Sequence, residues 1–280
     1  MSWNIDFITE ENFTNHIKET ITSYGNKLQP YDLTKFNSNT IDPIKLIFDK
    51  EIYNHSWEEI ISSEIIRQRD KSNTNEIGYF HQKIFQYISG CHVPANGKEG
   101  GWDIIYENPE GYKISDTNVV HKIYVEMKNK HNTMNSASAQ KTYMKMQNQL
   151  LEDDDCCCFL VEAIAKKSQN IIWKTTLTTG THKSNVSHAR IRRVSIDEFY
   201  KIVTGEPDSF LKICKAIPTT IEKVLKSDVI NVDPPVDTVF EEIKKRADSL
   251  KSEETDTAMI LAIYSLGFGS YLGFNSFDSN

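Results

Sequence analysis

Two short apolar segments that flank a turn signal form the most informative pattern in the chain. Residues 101–106 read Gly-Trp-Asp-Ile-Ile-Tyr, and residues 122–128 read Lys-Ile-Tyr-Val-Glu-Met-Lys. Both are rich in β-branched and aromatic residues, which favour strands. Between them, residues 108–111 read Asn-Pro-Glu-Gly, which is typical of a turn. The pattern therefore predicts two neighbouring strands with a turn signal between them.

Helical periodicity and end signals predict further elements on both sides of these strands. Ser56 and Glu59 form a capping box that begins a helix to about residue 69. A second helix is expected over residues 76–89 and a third over 136–151, where apolar residues recur at helical spacing. The other expected features are strands near 157–165, 170–174 and 190–194, a second capping box at 195–198, and a break at 233–235.

These elements predict an α/β fold in which a mixed β-sheet core is flanked by helices. We expect a helical N-terminal part over residues 1–90, a core with the catalytic sheet over 91–205, and a helical C-terminal part over 206–280. The three parts are expected to form one compact unit.

Charged residues interrupt both apolar strands and suggest a chemical role. Asp103 lies in the first strand, and Glu126 and Lys128 lie in the second, 23 and 25 positions later. Side chains alternate along a strand, so Glu126 and Lys128 share a face, and neighbouring strands lie about 4.8 Å apart. Two carboxylates and an amine at one point suit Mg²⁺-dependent phosphodiester hydrolysis. The structural alternative is that Asp103 caps a turn while Glu126 and Lys128 form a surface pair.

The segment after Lys128 is rich in hydrogen-bond donors and leads into the helix expected from residue 136. On that helix a polar stripe at i, i+4 and i+7 suits contacts to phosphates and base edges. An ordinary solvated helix face is the alternative. The DNA-binding candidates of this region are Asn129, Lys130, His131, Asn132, Asn135, Ser136, Lys141, Lys145 and Asn148.

Composition and charge change this interpretation only locally. The net charge of -7 does not indicate a nucleic-acid binder, but residues 163–193 contain seven cations and no acid. We expect residues 175–190 to form a mobile loop that orders on DNA, with a plain solvated loop as the alternative. The DNA-binding candidates here are Lys183, Arg190, Arg192 and Arg193.

Cysteine usage and hydropathy exclude several classes of protein. The five cysteines include three adjacent ones at 156–158, which suit neither a disulfide framework nor a zinc site and are expected in the core. No run of 18 apolar residues occurs, and the first residues lack the features of a signal peptide. We therefore expect a soluble, cytoplasmic protein without a membrane contact.

The combination of Asp103 with Glu126-x-Lys128 resembles the PD-(D/E)xK nuclease motif, and its surroundings resemble a type II restriction endonuclease. The likeness is greatest to the family that cuts GGNCC or GGWCC sites. Trp102 replaces the superfamily's proline before the first acid, a position that holds no ligand. The likeness covers about residues 1–205 and is carried by five blocks at 41–45, 67–71, 77–82, 101–103 and 125–133.

The resemblance implies a homodimer that cuts double-stranded DNA with Mg²⁺ in the bacterial cytoplasm, alongside a cognate cytosine methyltransferase. It implies that Asp103, Glu126 and the backbone carbonyl of Met127 bind the metal, while Lys128 orients the attacking water. Many such nucleases place a further ligand on the helix before the first catalytic strand, where Glu76, His81 and Gln82 are the accessory candidates. Another nuclease of the same fold, for repair or junction resolution, and a non-catalytic DNA-binding protein remain alternatives.

Overall fold

The computed structural model describes residues 3–27, 29–115, 118–179, 181–227, 236–250 and 255–269. The helices are α1 (Glu10–Lys27), α2 (Leu33–Asn37), α3 (Pro43–Tyr53), α4 (Trp57–Lys83), α5 (Ser136–Glu152), α6 (Ile196–Thr204), α7 (Ser209–Ser227), α8 (Val239–Ser249) and α9 (Thr255–Phe268). The strands are β1 (Cys91–His92), β2 (Ile104–Ser115), β3 (Asn118–Lys130), β4 (Cys156–Ile164), β5 (Asn170–Thr179) and β6 (His182–Ser195). Short 3₁₀ turns at Ile84–Tyr87 and Glu99–Gly101 precede β1 and β2.

The six strands form one mixed sheet in the order β1-β2-β3-β4-β6-β5. Strand β3 pairs antiparallel with β2 and parallel with β4, and β4 pairs parallel with β6. Strand β4 is central and buried on both faces, which explains its uninterrupted apolar run from Cys156 to Val161. The predicted α/β class, a mixed sheet with flanking helices, is confirmed.

Side chains of β4 alternate between two layers of helices. Cys156, Cys158 and Leu160 pack in one cluster with residues of α5, including Tyr143 and Met146. Phe159 points to the other face, where its ring meets Phe199 of α6 at 6.4 Å between centroids. All three adjacent cysteines are free and buried, so their assignment to the core is confirmed.

The turn signal at residues 108–111 forms a bulge inside β2 and does not join β2 to β3. Pairing shifts between Glu107 and Tyr112, and Asn108 closes the local turn by donating to the carbonyl of Gly111 at 3.0 Å. Gly111 has a φ of 74°, and a Cβ there would lie 2.2 Å from Val119 Cγ1. The strand then continues to Ser115, because residues 112–115 can pair with β3 again. The turn signal that the sequence placed between the two strands therefore lies inside the first of them.

The two helices expected over 56–69 and 76–89 are one helix, α4, followed by a 3₁₀ turn. Residues 70–75 are polar but contain neither glycine nor proline, so nothing interrupts the backbone hydrogen bonds. The capping box at its start is confirmed: Ser56 N donates to Glu59 Oε2 at 2.8 Å, and Glu59 N donates to Ser56 Oγ at 3.2 Å.

Residues 175–190, expected to be a mobile loop, lie mostly in an extended hairpin of β5 and β6. The pairing runs out to Thr179 opposite His182. Its threonines and other strand-forming residues favour this extended pairing, although their polarity suggested a loop.

The expected capping box at 195–198 was also wrong. Ser195 is the N-cap of α6 without a side-chain cap, because its Oγ accepts from Gln169 N at 2.9 Å instead.

Residue contacts divide the chain into two compact units. One comprises 1–21 and 76–229 and contains the sheet; the other comprises 22–75 and 230–280. The second unit has its own apolar core, in which Phe36 of α2, Ile61 of α4 and Ile263 of α9 are fully buried. The break expected at 233–235 lies outside the described residues. Within the described chain, every helix is too short or too polar to cross a membrane.

Candidate active site

Pairing of β2 with β3 brings the two predicted acids together. Ile104 lies opposite Val125, which places Asp103 beside the segment 125–127. The backbone of Asp103 donates to the carbonyl of Val125 at 3.0 Å, and its Oδ2 accepts from Met127 N at 2.7 Å. Asp103 is thereby fixed next to Glu126, whose side chain points to the face of the sheet that α5 covers.

Each carboxylate oxygen of Glu126 accepts a hydrogen bond from the ammonium group of a lysine. Lys128 Nζ donates to Oε1 at 2.8 Å, and Lys145 Nζ donates to Oε2 at 2.9 Å. Lys145 reaches the site from α5 and also donates to the carbonyl of Gly101 at 2.7 Å. The structure therefore brings together Asp103, Glu126 and Lys128, and adds a second lysine that the sequence pattern had placed on an exposed stripe.

Burial and charge act differently on the two acids. Burial raises the pKa of Asp103 to about 6, the negative charge of Glu126 adds to the effect, and the hydrogen bond from Met127 N opposes it. Burial also disfavours the charged form of Glu126, but the hydrogen bonds and charges of Lys128 and Lys145 outweigh it and lower its pKa. The two lysine charges therefore compensate the charge of Glu126 more fully than that of Asp103.

The donor set fits a hard divalent cation with an incomplete protein shell. The carboxylates of Asp103 and Glu126 are oxygen donors, which Mg²⁺ prefers, and the Met127 carbonyl is the third donor that the sequence predicts. Mg²⁺ commonly keeps water and phosphate as its other ligands. Added positive charge would also relieve the raised pKa of Asp103. No group of three or more His, Cys, Asp or Glu side chains suited to a metal occurs among the described residues. Water and substrate oxygens would therefore have to complete the coordination.

A cleft of about 670 Å³ opens beside Asp103 and is lined in part by α4. Of the three accessory candidates, Glu76 and Gln82 line this cleft together with Asp103 and Trp102. His81 is not among the lining residues, and burial lowers its pKa to about 4, so its ring is neutral at pH 7. Its position agrees with a packed histidine more than with a ligand.

The candidates between β3 and the end of α5 have several different surroundings. Asn135 is the N-cap of α5 and accepts from Ser138 N at 2.9 Å. Asn129 Oδ1 is buried and has no hydrogen-bond partner among the described residues. His131 is half-buried and bonded within the sheet. The exposed candidates are Lys130, Asn132, Asn135, Ser136, Lys141 and Asn148.

Glu162 is a buried acid next to the site that sequence reasoning missed. It lies opposite Lys128 in the pairing of β3 with β4, and its side chain is 1% exposed. Its Oε1 accepts from Arg193, and its Oε2 lies 3.0 Å from His131 Nδ1. Arg193 also donates to the carbonyl of His131 at 3.0 Å. A lone acid in an apolar strand was the available signal, the same one that identified Asp103 and Glu126.

The other basic candidates lie on β6 away from Glu126. Arg190 donates to the carbonyls of Asp154 at 2.7 Å and Cys156 at 3.2 Å. Arg192 donates to Asn170 Oδ1 at 2.5 Å and to its carbonyl at 2.8 Å. Lys183 is exposed near the hairpin tip. Arg190, Arg192 and Arg193 thus all have hydrogen-bond partners within the chain. The partners of Arg190 and Arg192 in these contacts are neutral groups, whereas Arg193 pairs with the Glu162 carboxylate.

Comparison with known proteins decides the family. The family profile described as Eco47II restriction endonuclease matches residues 5–226. The chain belongs to this family. It is 33% identical over 223 residues to the type II restriction enzyme Sau96I of Staphylococcus aureus, covering 78% of this chain and 80% of that enzyme. It is 27% identical over 228 residues to the type II restriction enzyme Eco47II of Escherichia coli, covering 79% and 88%.

Membership of the Eco47II family makes the chain a restriction endonuclease, and so confirms the predicted enzyme class. The matched range contains the whole sheet and therefore Asp103, Glu126, Lys128 and Lys145. A DNA-cutting enzyme needs a site at which phosphate and attacking water meet. The cleft is open and polar and is lined by Asp103, so its geometry agrees with the family's activity.

We predict that Glu162→Ala lowers the free energy of unfolding by about 3–5 kcal/mol, because it leaves the Arg193 charge half-buried and unpaired. The measurement is urea unfolding followed by circular dichroism. Glu107→Ala is the matched control: its carboxylate is 65% exposed and 3.3 Å from Lys122 Nζ. Loss of such an exposed pair should cost less than about 1 kcal/mol. Equal losses in the two variants would contradict the prediction that the buried pair of Glu162 with Arg193 stabilises the fold.

Proposed function

We propose that the chain is a Mg²⁺-dependent type II endonuclease that cuts double-stranded DNA at a short, near-palindromic, G/C-rich site of the GGNCC kind. We place it in the bacterial cytoplasm, in a restriction-modification system with a cytosine methyltransferase that need not contact it. The observation that carries the proposal is the convergence of Asp103, Glu126 and Lys128 at one point of the sheet. The proposed target rests on the likeness to the family cutting GGNCC or GGWCC sites.

In this proposal Asp103, Glu126 and the carbonyl of Met127 hold the ion. Bound there, Mg²⁺ would lower the pKa of a coordinated water and neutralise charge that develops on the phosphate. Met127 N keeps the Asp103 carboxylate in place through its 2.7 Å hydrogen bond. Lys128, released from Glu126 Oε1, would orient the attacking water or stabilise a phosphate oxygen. Glu76 and Gln82 face the same cleft and are proposed to support the site through water.

The relatives are named restriction enzymes, which argues against the alternative of a repair or junction-resolving nuclease with the same metal motif. A non-catalytic DNA-binding protein is disfavoured by the charges themselves. Burial raises the pKa of Asp103, so its charged form is costly to maintain at this position without a chemical role.

We predict that alanine at Asp103, Glu126 or Lys128 lowers cleavage of cognate DNA at least about a thousandfold, since each supplies a ligand or an activating group. Single-turnover cleavage with Mg²⁺ measures this loss, and gel shift with Ca²⁺ measures whether specific binding persists. Thermal melting controls for folding. Near wild-type cleavage by Asp103→Ala would show that the assignment is wrong.

A homodimer is the assembly that we propose, because a near-palindromic site is read most simply by two copies related by a two-fold axis. Support comes from an exposed apolar stripe on α3, where Ile44, Phe48 and Ile52 are 48%, 60% and 69% exposed at a spacing of four residues. Such stripes mark interaction surfaces.

We predict that Phe48→Glu shifts the protein from dimer to monomer, because it places a charge in the proposed contact. Light scattering of the free protein and of its complex with cognate duplex measures the mass. Leu211→Glu is the control, since Leu211 is 53% exposed on α7. A wild-type protein that is monomeric both alone and on DNA would rule out the dimer, and a dimeric Phe48→Glu variant would rule out the stripe.

We propose that arginine side chains on β6 read the bases of the DNA target. Guanine O6 and N7 accept the two donors of one guanidinium, so G/C-rich outer pairs call for arginine readers. Arg193 is tied to the buried Glu162 carboxylate, whereas the contacts of Arg190 and Arg192 are with neutral groups. Redirecting a guanidinium from a neutral partner costs less than removing it from a buried charge. Arg190 and Arg192 are therefore the favoured readers.

We predict that Arg→Ala at a reader costs about 1–3 kcal/mol on the cognate site only, while loss of a phosphate contact weakens binding to every duplex. A phosphate contact also accounts for about one unit of the log–log salt slope. Affinities for cognate and scrambled duplexes, each at two salt concentrations, separate the two effects for Arg190, Arg192 and Arg193. If all three variants lose both affinities in parallel, the determinants lie in the segment 129–148.

A further inference from the structure

Lys145 is more closely connected to the site than its place on α5 suggests. Its Nζ lies 2.9 Å from Glu126 Oε2, 2.7 Å from the carbonyl of Gly101, and 4.0 Å from the centroid of the Trp102 ring. These contacts join one acid directly to the two residues that precede the other acid, Asp103. The side chain of Lys145 is 28% exposed, so it is largely withdrawn from solvent.

The two lysines on Glu126 differ in how they are held. Lys128 is two residues from Glu126 on the same strand and takes Oε1 at 2.8 Å. Lys145 comes from a helix and takes Oε2, while the Trp102 ring beneath it is fixed by a hydrogen bond from its Nε1 to Gln149 Oε1 at 2.9 Å. Because Gln149 also lies on α5, the helix sets the position of both the lysine and the ring.

We propose that Lys145 is a positioning residue that serves as the counter-ion of Glu126 in the DNA-free enzyme, occupying the carboxylate oxygen that a divalent cation takes for the reaction. The inference rests on the proposed function, since it concerns the same metal site. An ammonium on Oε2 and a second on Oε1 leave no free charge on Glu126 for a metal. The resting site therefore holds divalent ions weakly, while the Gly101 and Trp102 contacts preserve the spacing of the two acids.

Two consequences of opposite sign follow from this role. Without the Lys145 charge, Glu126 attracts a divalent ion more strongly, because a nearby positive charge that repels the ion has been removed. Without the contacts to Gly101 and Trp102, Asp103 is held less firmly, so cleavage slows even when metal is saturating. A merely structural lysine would not tighten metal binding when it is removed.

The test is Mn²⁺ binding to the DNA-free protein, measured from the electron paramagnetic resonance signal of free Mn²⁺. Lys145→Met keeps the aliphatic stem over Trp102 but removes the charge, and its Mn²⁺ dissociation constant should fall roughly tenfold. Lys145→Gln, a second neutral variant, should change it in the same direction. Lys122→Met is the control, because Lys122 pairs with Glu107 on the same two strands, 3.3 Å apart. It should leave Mn²⁺ affinity unchanged.

The second measurement is the rate of DNA cleavage by the Lys145 variants. At saturating Mg²⁺, Lys145→Met should cut about 10–100-fold more slowly in single turnover, and Lys145→Arg, which keeps the charge, should recover part of the rate. Unchanged or weaker Mn²⁺ binding in both neutral variants, with melting curves like the wild type, overturns the counter-ion role. If the wild type neither binds Mn²⁺ nor cuts DNA, the proposed function fails instead, so the two failures are distinguishable.

Discussion

The pairing of β2 with β3 is the constraint on which the site depends. Two hydrogen bonds, Asp103 N to Val125 O and Met127 N to Asp103 Oδ2, fix the first acid against the strand that carries the second. Because strand side chains alternate, the same register turns Glu126 and Lys128 toward α5 and buries Val125 and Met127. A shift of one residue would reverse every side chain and separate the acids.

Acids that lie in apolar strands require compensating charges or hydrogen bonds, and the three acids of this region receive them unevenly. Glu126 has two ammonium groups, and Glu162 has one guanidinium and a hydrogen bond with the His131 ring. Asp103 has a backbone N–H, and burial raises its pKa to about 6. The carboxylate with the least compensation lies beside the open cleft, where an ion and a phosphate could approach it. We propose that this unevenness marks Asp103 and Glu126 as a reaction site and not an ordinary buried ion pair.

The sequence predicted the elements with a clear period and missed the contacts between distant elements. Acids in apolar strands identified Asp103 and Glu126, and the same reasoning would have found Glu162 on β4. Lys145 was assigned to an exposed stripe because the sequence gives the spacing of a helix face but not which of its edges meets the sheet. The hairpin at 175–190 was missed because polar threonines suit both loops and strands. Contacts between residues 44 apart, such as Lys145 with Gly101, have no local signature.

Digestion of a plasmid of known sequence with the wild-type protein and Mg²⁺ tests the central claim most directly. Sequencing of the fragment ends would identify the cut sites. We expect discrete, reproducible fragments whose ends share one short, near-palindromic G/C-rich sequence, and protection of the same sites by cytosine methylation. A continuous smear with ends of unrelated sequence would contradict site-specific cleavage, and intact plasmid across a range of Mg²⁺ concentrations would contradict a metal-dependent nuclease at Asp103 and Glu126.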